Sequence, residues 1–353
     1  MKNSILGIIL LGILIFLGGK LIADIQLKKK VVNPTNSQTT PNKNAVQSPI
    51  SIEYLRSKKI VGSKITIVEE LGSGSNYTQY IASYQSEGNK IFGLLTVPTG
   101  PMPVGGFPAI VFNHGYIPPA QYVTTEKYIA YVDALARSGF VVFKIDFRGN
   151  GQSEGDPSGS YFSSGYTIDA ISALKSLQSF DKVNPKRIGM WGHSMAGNAT
   201  LRAMEVSPDI KAGVIWAGAV YSYQDFAKYG ISDSSYAHRP DTQKAGAQQA
   251  DREVSSEIQK IRSSPQSIDF SSEFWKSISL TQNLKYISGP LELHQAVDDP
   301  TVNIGYSRDL ATELKKQNKK YEFFEYEGGG HNIESPSFET AMERTIAFFK
   351  INL

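Results

Sequence analysis

The sequence predicts an α/β protein whose sheet is mostly parallel, with helices on both faces. Short, fully apolar segments alternate with longer segments that carry apolar residues at helical spacing. Near the start, two alternating segments at Thr78–Gln85 and Lys90–Pro98 are joined by the turn-forming residues Ser86–Asn89. A hairpin followed by repeated strand–helix units indicates a mixed sheet that begins antiparallel and continues parallel.

The other elements follow in order along the chain. Apolar segments predict strands at Pro108–Phe112, Phe140–Ile145, Arg187–Trp191, Lys211–Ala217, Pro290–His294 and Tyr321–Tyr326. Helical spacing predicts helices at Thr124–Ser138, Tyr166–Ser179, Asn198–Met204, Ile304–Lys316 and Ser337–Lys350, with a short helix or lead-in at Glu53–Gly62.

The segment Gly192–Gly197 carries the strongest local signal. It joins a predicted strand to a predicted helix, and Ser194 lies at the turn between them. A serine on such a turn is the nucleophile elbow of the α/β-hydrolase fold, where the tight turn pushes the hydroxyl out of the backbone. Small residues are needed on either side, and Ala196 stands where a second glycine is usual. We therefore predict that Ser194 is a nucleophile.

Two backbone amides are predicted to form an oxyanion hole. The amide of Met195 opens the helix after the elbow, where the helix dipole favours negative charge. An apolar strand also runs directly into Asn113–Tyr116, where α/β hydrolases place the other half of this hole. Gly115 permits close approach of the backbone, so we expect the amide of Tyr116 to be the second donor. His114 is interpreted as a residue that fixes the loop.

Two adjacent aspartates compete for the role of the acid that orients the catalytic histidine. Asp298 and Asp299 lie in the loop after a late strand, where the triad carboxylate belongs. The usual pattern places this aspartate three residues after a glycine and three before a valine. Taking Ala296 for the glycine and Val302 for the valine selects Asp299, with Asp298 as a neighbour that shapes the loop.

Of the five histidines, only His331 has the context of a catalytic base. It lies on a glycine-rich loop between the last strand and the last helix, from which its ring can reach the serine. His193 adjoins the nucleophile, but the tight turn is expected to direct its ring elsewhere. His238 lies in a long inserted segment. The order of serine, acid and histidine is the order of the α/β-hydrolase triad.

The inserted segment, residues 220–286, breaks the strand–helix alternation. It combines many aromatic residues with a polar, helix-like stretch at Thr242–Arg262. A segment of this length is too long for a plain connection and predicts a cap over the active site. Its aromatic residues could line a substrate pocket or hold the cap onto the body. For any single residue we favour the second use.

Residues 52–353 resemble the catalytic domain of the prolyl oligopeptidase family and its esterase relatives, within the α/β-hydrolase superfamily. The motifs that carry the resemblance are Asn113–Tyr116, Asp146–Gly155, Gly192–Gly197, Ala296–Val302 and Gly329–His331. Peptidases of that family usually have a large N-terminal propeller, for which there is no room before Ile52. The resemblance therefore implies the catalytic half alone.

These residues predict a serine hydrolase that cleaves carboxylic esters or short peptides through an acyl-enzyme on Ser194. His331 would act as base and then acid, with Asp299 holding it, and no metal or organic cofactor is needed. An esterase is our first choice, and a prolyl oligopeptidase-like peptidase is the second. A catalytically inactive hydrolase fold used for binding, and a transferase with an acceptor other than water, remain open alternatives.

Composition limits the partners. The net charge of +3 over 353 residues is too small to indicate nucleic acid. The absence of cysteine excludes disulfides, thiolate catalysis and cysteine–zinc sites. We therefore expect a small-molecule ester or a short peptide as the partner of the site.

The N-terminus predicts attachment to a membrane. Residues 1–30 contain a long apolar run bounded by lysines, which indicates an uncleaved signal anchor or a cleaved signal peptide. Residues 31–50 are polar and read as a flexible linker. We expect a single anchor in the cell membrane with an extracytoplasmic catalytic domain, or a secreted protein if the segment is removed. The lysines on both sides leave the orientation open.

Overall fold

The architecture was obtained from a computed structural model. It describes residues 48–157, 161–231, 256–257, 259–261 and 263–353. Within these residues, nine strands form one sheet: β1 Thr66–Ser73, β2 Tyr77–Ser86, β3 Asn89–Pro98, β4 Phe107–Asn113, β5 Val141–Ile145, β6 Val183–His193, β7 Gly213–Trp216, β8 Leu291–Ala296 and β9 Tyr321–Tyr326.

The predicted mixed sheet is confirmed. Its strand order is β1-β2-β3-β5-β4-β6-β7-β8-β9. The first three strands are antiparallel to their neighbours, whereas β4 to β9 all run parallel to one another. The central strands are apolar and buried, as expected for parallel strands that are covered on both faces.

Helices cover both faces of the sheet, as the alternation of strand and helix predicts. The α-helices whose bounds the structure defines are α1 Ile52–Ser57, α2 Ile129–Arg137, α3 Gly165–Leu177, α4 Met195–Val206, α5 Tyr223–Tyr229, α6 Glu273–Ile278, α7 Gly305–Lys316 and α8 Ser337–Asn352. The apolar sides of α2 and α8 belong to one buried cluster. The apolar sides of α1, α3, α4 and α7 belong to a second cluster.

The ends of several elements differ from the prediction, and one strand was not predicted. The predicted helix Thr124–Ser138 begins only at Ile129, because Lys127 and Tyr128 adopt left-handed backbone angles that interrupt a helix. Strand β1 was not predicted. It is exposed along its whole length, so it lacks the apolar side that marks a half-buried strand.

The described part of the inserted segment packs on the body beside the sheet. Trp275 is buried, and the rings of Tyr223, Phe270 and Phe274 lie within 5.4 Å of its ring centre. The hydroxyl of Tyr223 in turn donates to the carbonyl of Tyr161 in the body. This is the attaching role that we favoured for the aromatic residues. Most of Thr242–Arg262 lies outside the described residues, so the cap stays a prediction.

Among the described residues, we find no helix with the length and apolar character needed to cross a bilayer. The predicted anchor, residues 1–30, lies outside the described part of the chain, as does most of the predicted linker. The last linker residue, Ile50, is buried in the core ahead of α1. Ser51 caps this helix, since its hydroxyl accepts from the amide of Tyr54.

Candidate active site

The site lies where the parallel strands end. Strands β4, β6, β8 and β9 run in the same direction, so the loops that follow them emerge at one edge of the sheet. These loops carry Tyr116, Ser194, Asp299 and His331. Residues that are far apart in the sequence are therefore brought to one place by the sheet.

Ser194 occupies a strained turn between β6 and α4. Its φ and ψ angles are 54° and −123°, a combination that is rare outside glycine. Gly192 packs so closely that an added Cβ would lie 2.6 Å from the carbonyl oxygen of Ala196. The predicted need for a small residue at this position is thereby explained. Ala196 itself is accommodated, fully buried, in the first turn of the helix.

Three side chains form a continuous hydrogen-bonded line. The Oγ atom of Ser194 is 2.9 Å from Nε2 of His331. The Nδ1 atom of the same ring is 2.9 Å and 3.1 Å from the two carboxylate oxygens of Asp299. A carboxylate only accepts, so Nδ1 carries the proton and Nε2 is left to accept from the serine hydroxyl. Chemically, this arrangement can withdraw the serine proton.

The two adjacent aspartates contact different parts of the histidine loop. Asp299 is almost fully buried and accepts from the Gln295 side chain and from the amides of Thr301 and Val302, at 2.8–2.9 Å. These bonds fix its carboxylate against the His331 ring. Asp298 instead accepts from the amide of Gly330 at 2.9 Å, so it holds the loop rather than the ring.

The two residues predicted to supply the oxyanion hole lie beside the serine. Met195 is the first residue of α4, which places its amide at the positive end of the helix. Tyr116 borders the same cavity as Ser194 and His331. An added Cβ on Gly115 would lie 3.2 Å from Cβ of Ser194, so glycine is needed for this close approach.

A cavity of about 510 Å³ opens at Ser194 and His331. Its lining includes four aromatic residues, Tyr116, Tyr128, Tyr131 and Phe338. Lys127 and Glu334 add one charge of each sign. The lining contains no residue of the inserted segment that the structure describes. The size suits a small organic ligand.

His193 is directed away from the serine hydroxyl, as the sequence predicts, but it has partners that the sequence did not reveal. Its ring does not bond to Ser194, but it borders the cavity, and its Nε2 lies 2.9 Å from the backbone carbonyl of His331. Its Nδ1 lies 2.8 Å from the hydroxyl of Tyr128. Sequence reasoning missed the contact between His193 and Tyr128, because it depends on tertiary packing. No local pattern in the sequence signals this contact, because it joins residues 65 positions apart.

Other polar residues singled out by the motifs are structural. Asp146 accepts from the hydroxyls of Tyr122 and Thr124 at 2.7 Å and 2.5 Å, away from the triad. The guanidinium of Arg148 contacts both carboxylate oxygens of the buried Asp169. Within the described residues, no cluster of three or more histidines and carboxylates has the arrangement of a metal site.

Comparison with solved structures identifies the fold. An acetyl xylan esterase from Paenibacillus sp. R4 has a TM-score of 0.61 and 19% identity, over 86% of this chain and 92% of the esterase. Dipeptidyl peptidase 4 from Porphyromonas gingivalis has a TM-score of 0.59 and 19% identity over 79% of this chain. The match spans only 36% of the peptidase, about a third of its length. The predicted α/β-hydrolase fold is confirmed.

Comparison of sequences identifies the family. A curated relative, the uncharacterized peptidase YtmA of Bacillus subtilis (strain 168), is 27% identical over 250 residues, which cover 70% of this chain and 83% of the relative. The family model described as serine aminopeptidase, S33, matches residues 108–335. That range contains the elbow, both aspartates and His331. The chain belongs to the serine aminopeptidase S33 family of α/β hydrolases.

Proposed function

We propose that this protein is a serine hydrolase that cleaves small carboxylic esters or short peptides through an acyl-enzyme on Ser194. The observation that carries the proposal is the bonded line from Ser194 through His331 to Asp299, with distances of 2.9 Å at both contacts. A binding module has no need to hold these three groups in register. The line therefore argues against an inactive hydrolase fold.

The reaction would proceed in two acyl transfers. The Oγ atom of Ser194 attacks the substrate carbonyl carbon while Nε2 of His331 takes the hydroxyl proton. The tetrahedral intermediate collapses, and the imidazolium gives that proton to the departing alcohol or amine. Water then attacks the acyl-enzyme with His331 as base, which releases the carboxylic acid and restores the serine. Asp299 holds the ring and stabilises its charged form throughout.

The oxyanion of each tetrahedral intermediate would be held by the amides of Met195 and Tyr116. The first of these amides lies at a helix N-terminus next to the nucleophile, and the second follows the close-packed Gly115. Both positions are fixed before substrate arrives, so the amides need not reorganise as charge develops.

The substrate class rests on the cavity and on the family. An aromatic-lined cavity of about 510 Å³ fits a short acyl group or a small peptide better than an extended protein chain. The family and the Bacillus subtilis relative favour peptide bonds, whereas the Paenibacillus esterase has a similar fold. We place small esters first and short peptides second, because an ester needs no activation of its leaving group.

A substrate panel tests this function on the full chain in mild detergent. We expect hydrolysis of short-chain p-nitrophenyl esters, with a higher kcat/KM than for aminoacyl anilides. The Ser194→Ala variant should lose on the order of 10⁶-fold in kcat. Faster cleavage of the anilides would select the peptidase alternative. Equal rates for the wild type and the Ser194→Ala variant would reject the proposed mechanism.

We also propose that residues 1–30 attach the catalytic domain to the outer side of the cell membrane. The attachment rests on the apolar run in the sequence, and the outer side rests on the polar linker, residues 31–50, which suits an enzyme that works just outside the membrane. Membrane fractions should retain the full chain after alkaline washing, and protease added to intact cells should remove the catalytic domain. Mass spectrometry of the N-terminus distinguishes an anchor from a cleaved signal peptide.

A further inference from the structure

The loop that carries His331 is held through its backbone at three successive residues. The amide of Gly330 donates to Asp298, and the carbonyl of His331 accepts from Nε2 of His193, each at 2.9 Å. The carbonyl of Asn332 accepts from the hydroxyl of Tyr131 at 2.8 Å. Side chains from three separate parts of the fold therefore converge on one short turn.

The protons on His193 and Tyr128 have one consistent arrangement. A carbonyl only accepts, so Nε2 of His193 must carry a proton to donate to His331. Burial, together with the nearby His331 ring, lowers the pKa of His193 to about 3, so its Nδ1 bears a lone pair. The hydroxyl of Tyr128 donates to that lone pair at 2.8 Å. Its oxygen in turn accepts from the amide of Gly115 at 2.9 Å.

This chain of bonds connects the two loops that the proposed reaction uses. It runs from Gly115, next to Tyr116, through Tyr128 and His193 to the backbone of His331. The fit is close: an added Cβ on Gly115 would lie 2.6 Å from the Tyr128 hydroxyl and 2.9 Å from Nδ1 of His193.

The backbone at Tyr128 is itself strained. Its φ of 57° follows a φ of 46° at Lys127, and two left-handed residues in succession are unfavourable for side chains of this size. Strain of this kind persists where the surrounding structure requires one conformation, and it is concentrated at functional sites. Here the conformation places the Tyr128 hydroxyl between Gly115 and His193.

We propose that Tyr128 and His193 are positioning residues. They hold the loop of Gly115 and Tyr116 in register with the loop of His331. They set the distance between the base and the amide of Tyr116 without contacting the reacting atoms. The inference rests on the proposed serine hydrolase function. It predicts that removing any of these hydrogen bonds lowers kcat much more than it raises KM, since the bonds act on the geometry of the transition state.

Three substitutions of His193 separate its two bonds. In His193→Gln, the longer side chain can place an amide N–H where Nε2 donates, so the bond to His331 is retained. In His193→Asn, the shorter side chain reaches only the position of Nδ1, and His193→Phe retains the ring shape without either bond. We expect kcat to fall about 10²-fold in the Asn and Phe variants and much less in the Gln variant.

Tyr128→Phe tests the other end of the chain, with Tyr84→Phe as the matched control. Tyr84 is buried, whereas Tyr128 is half-buried, and it donates its hydroxyl to a backbone carbonyl at 2.9 Å without bordering the cavity. We expect Tyr128→Phe to lower kcat and to broaden or shift the low-field proton resonance of His331 Nδ1–H. The control should leave both unchanged.

The outcomes divide clearly. The positioning role would be overturned if the folded His193→Asn, His193→Phe and Tyr128→Phe variants keep the full wild-type kcat. If the wild type reacts with a fluorophosphonate, the proposed function still stands in that case. An equal loss of kcat in the Gln and Phe variants would also overturn it, because the retained donor would then have no effect. A folded wild type that does not react would instead contradict the proposed function itself.

Discussion

At the scale of single residues, two neighbouring aspartates show how position decides chemistry. The Asp299 carboxylate is hydrogen-bonded to the His331 ring, whereas the Asp298 carboxylate accepts from the backbone amide of Gly330 in the same loop. The two side chains have the same composition and are separated by one peptide bond. Their different partners make them a matched pair for mutation.

We expect Asp299→Asn to lower kcat by about four orders of magnitude, because the amide favours the wrong tautomer of His331. Asp298→Asn should have a small effect, since the amide oxygen can still accept from the amide of Gly330. Steady-state kinetics on an ester substrate measures both values. Equal losses in the two variants would contradict the separate roles.

The choice of Asp299 could be made from the sequence because its spacing from Ala296 and Val302 follows a pattern. The positions of His193 and Tyr128 could not. Their contacts join residues 65 positions apart, and no local pattern reports which rotamer a side chain adopts inside a folded protein. The clearest errors at this scale are therefore contacts between loops.

At the scale of elements, the parallel sheet could be predicted because each buried strand is short, apolar and followed by a helix. The ends of the elements were less well predicted. Strand β6 begins at Val183, four residues before the predicted start. Its first part is polar, and before Ile188 only Val183 pairs with β4. Strand β1 has no buried side and therefore no pattern to detect.

The bond between Arg148 and Asp169 connects the turn after β5 to α3. The Asp169 side chain is fully buried, so removing its partner leaves an uncompensated charge in the core. We expect Arg148→Ala to lower the free energy of unfolding by about 3–5 kcal/mol. Urea denaturation measures this change.

Arg308 provides the control for that measurement. It also forms a bidentate ion pair, with Glu325, but both side chains are exposed to solvent. We expect Arg308→Ala to change the free energy of unfolding by less than about 1 kcal/mol. Similar effects of the two substitutions would show that burial of Asp169 is not what makes its bond important.

At the scale of the whole molecule, buried histidines make stability depend on pH. Burial lowers the pKa of His114 to about 3, and the ring lies stacked on Tyr122. Burial also lowers the pKa of His193 and His294. Below pH 6.5 the unfolded chain binds protons at these residues that the native protein does not bind. Each histidine therefore stabilises the native state above that pH and loses this effect as the pH falls, and for His114 and His193 the loss continues toward pH 3.

His114→Phe should reduce this dependence, because it keeps a ring in the stack and removes the titrating group. Between pH 6.5 and about 4, we expect the unfolding free energy of the wild type to fall relative to that of the variant by up to about 1.4 kcal/mol per pH unit. Burial raises the pKa of Asp146 and Glu205, which acts in the opposite direction but cancels in the comparison. Parallel curves for the two proteins would contradict the prediction.

The proposal that Ser194 is an activated nucleophile can be decided by one labelling experiment. The full chain is treated with a fluorophosphonate beside the Ser194→Ala variant, and the adduct is located by peptide mass spectrometry. We predict one equivalent of adduct on Ser194 and none on the variant, because His331 and Asp299 activate only that hydroxyl. A folded wild type that remains unlabelled, or an adduct on another residue, would contradict the proposed function.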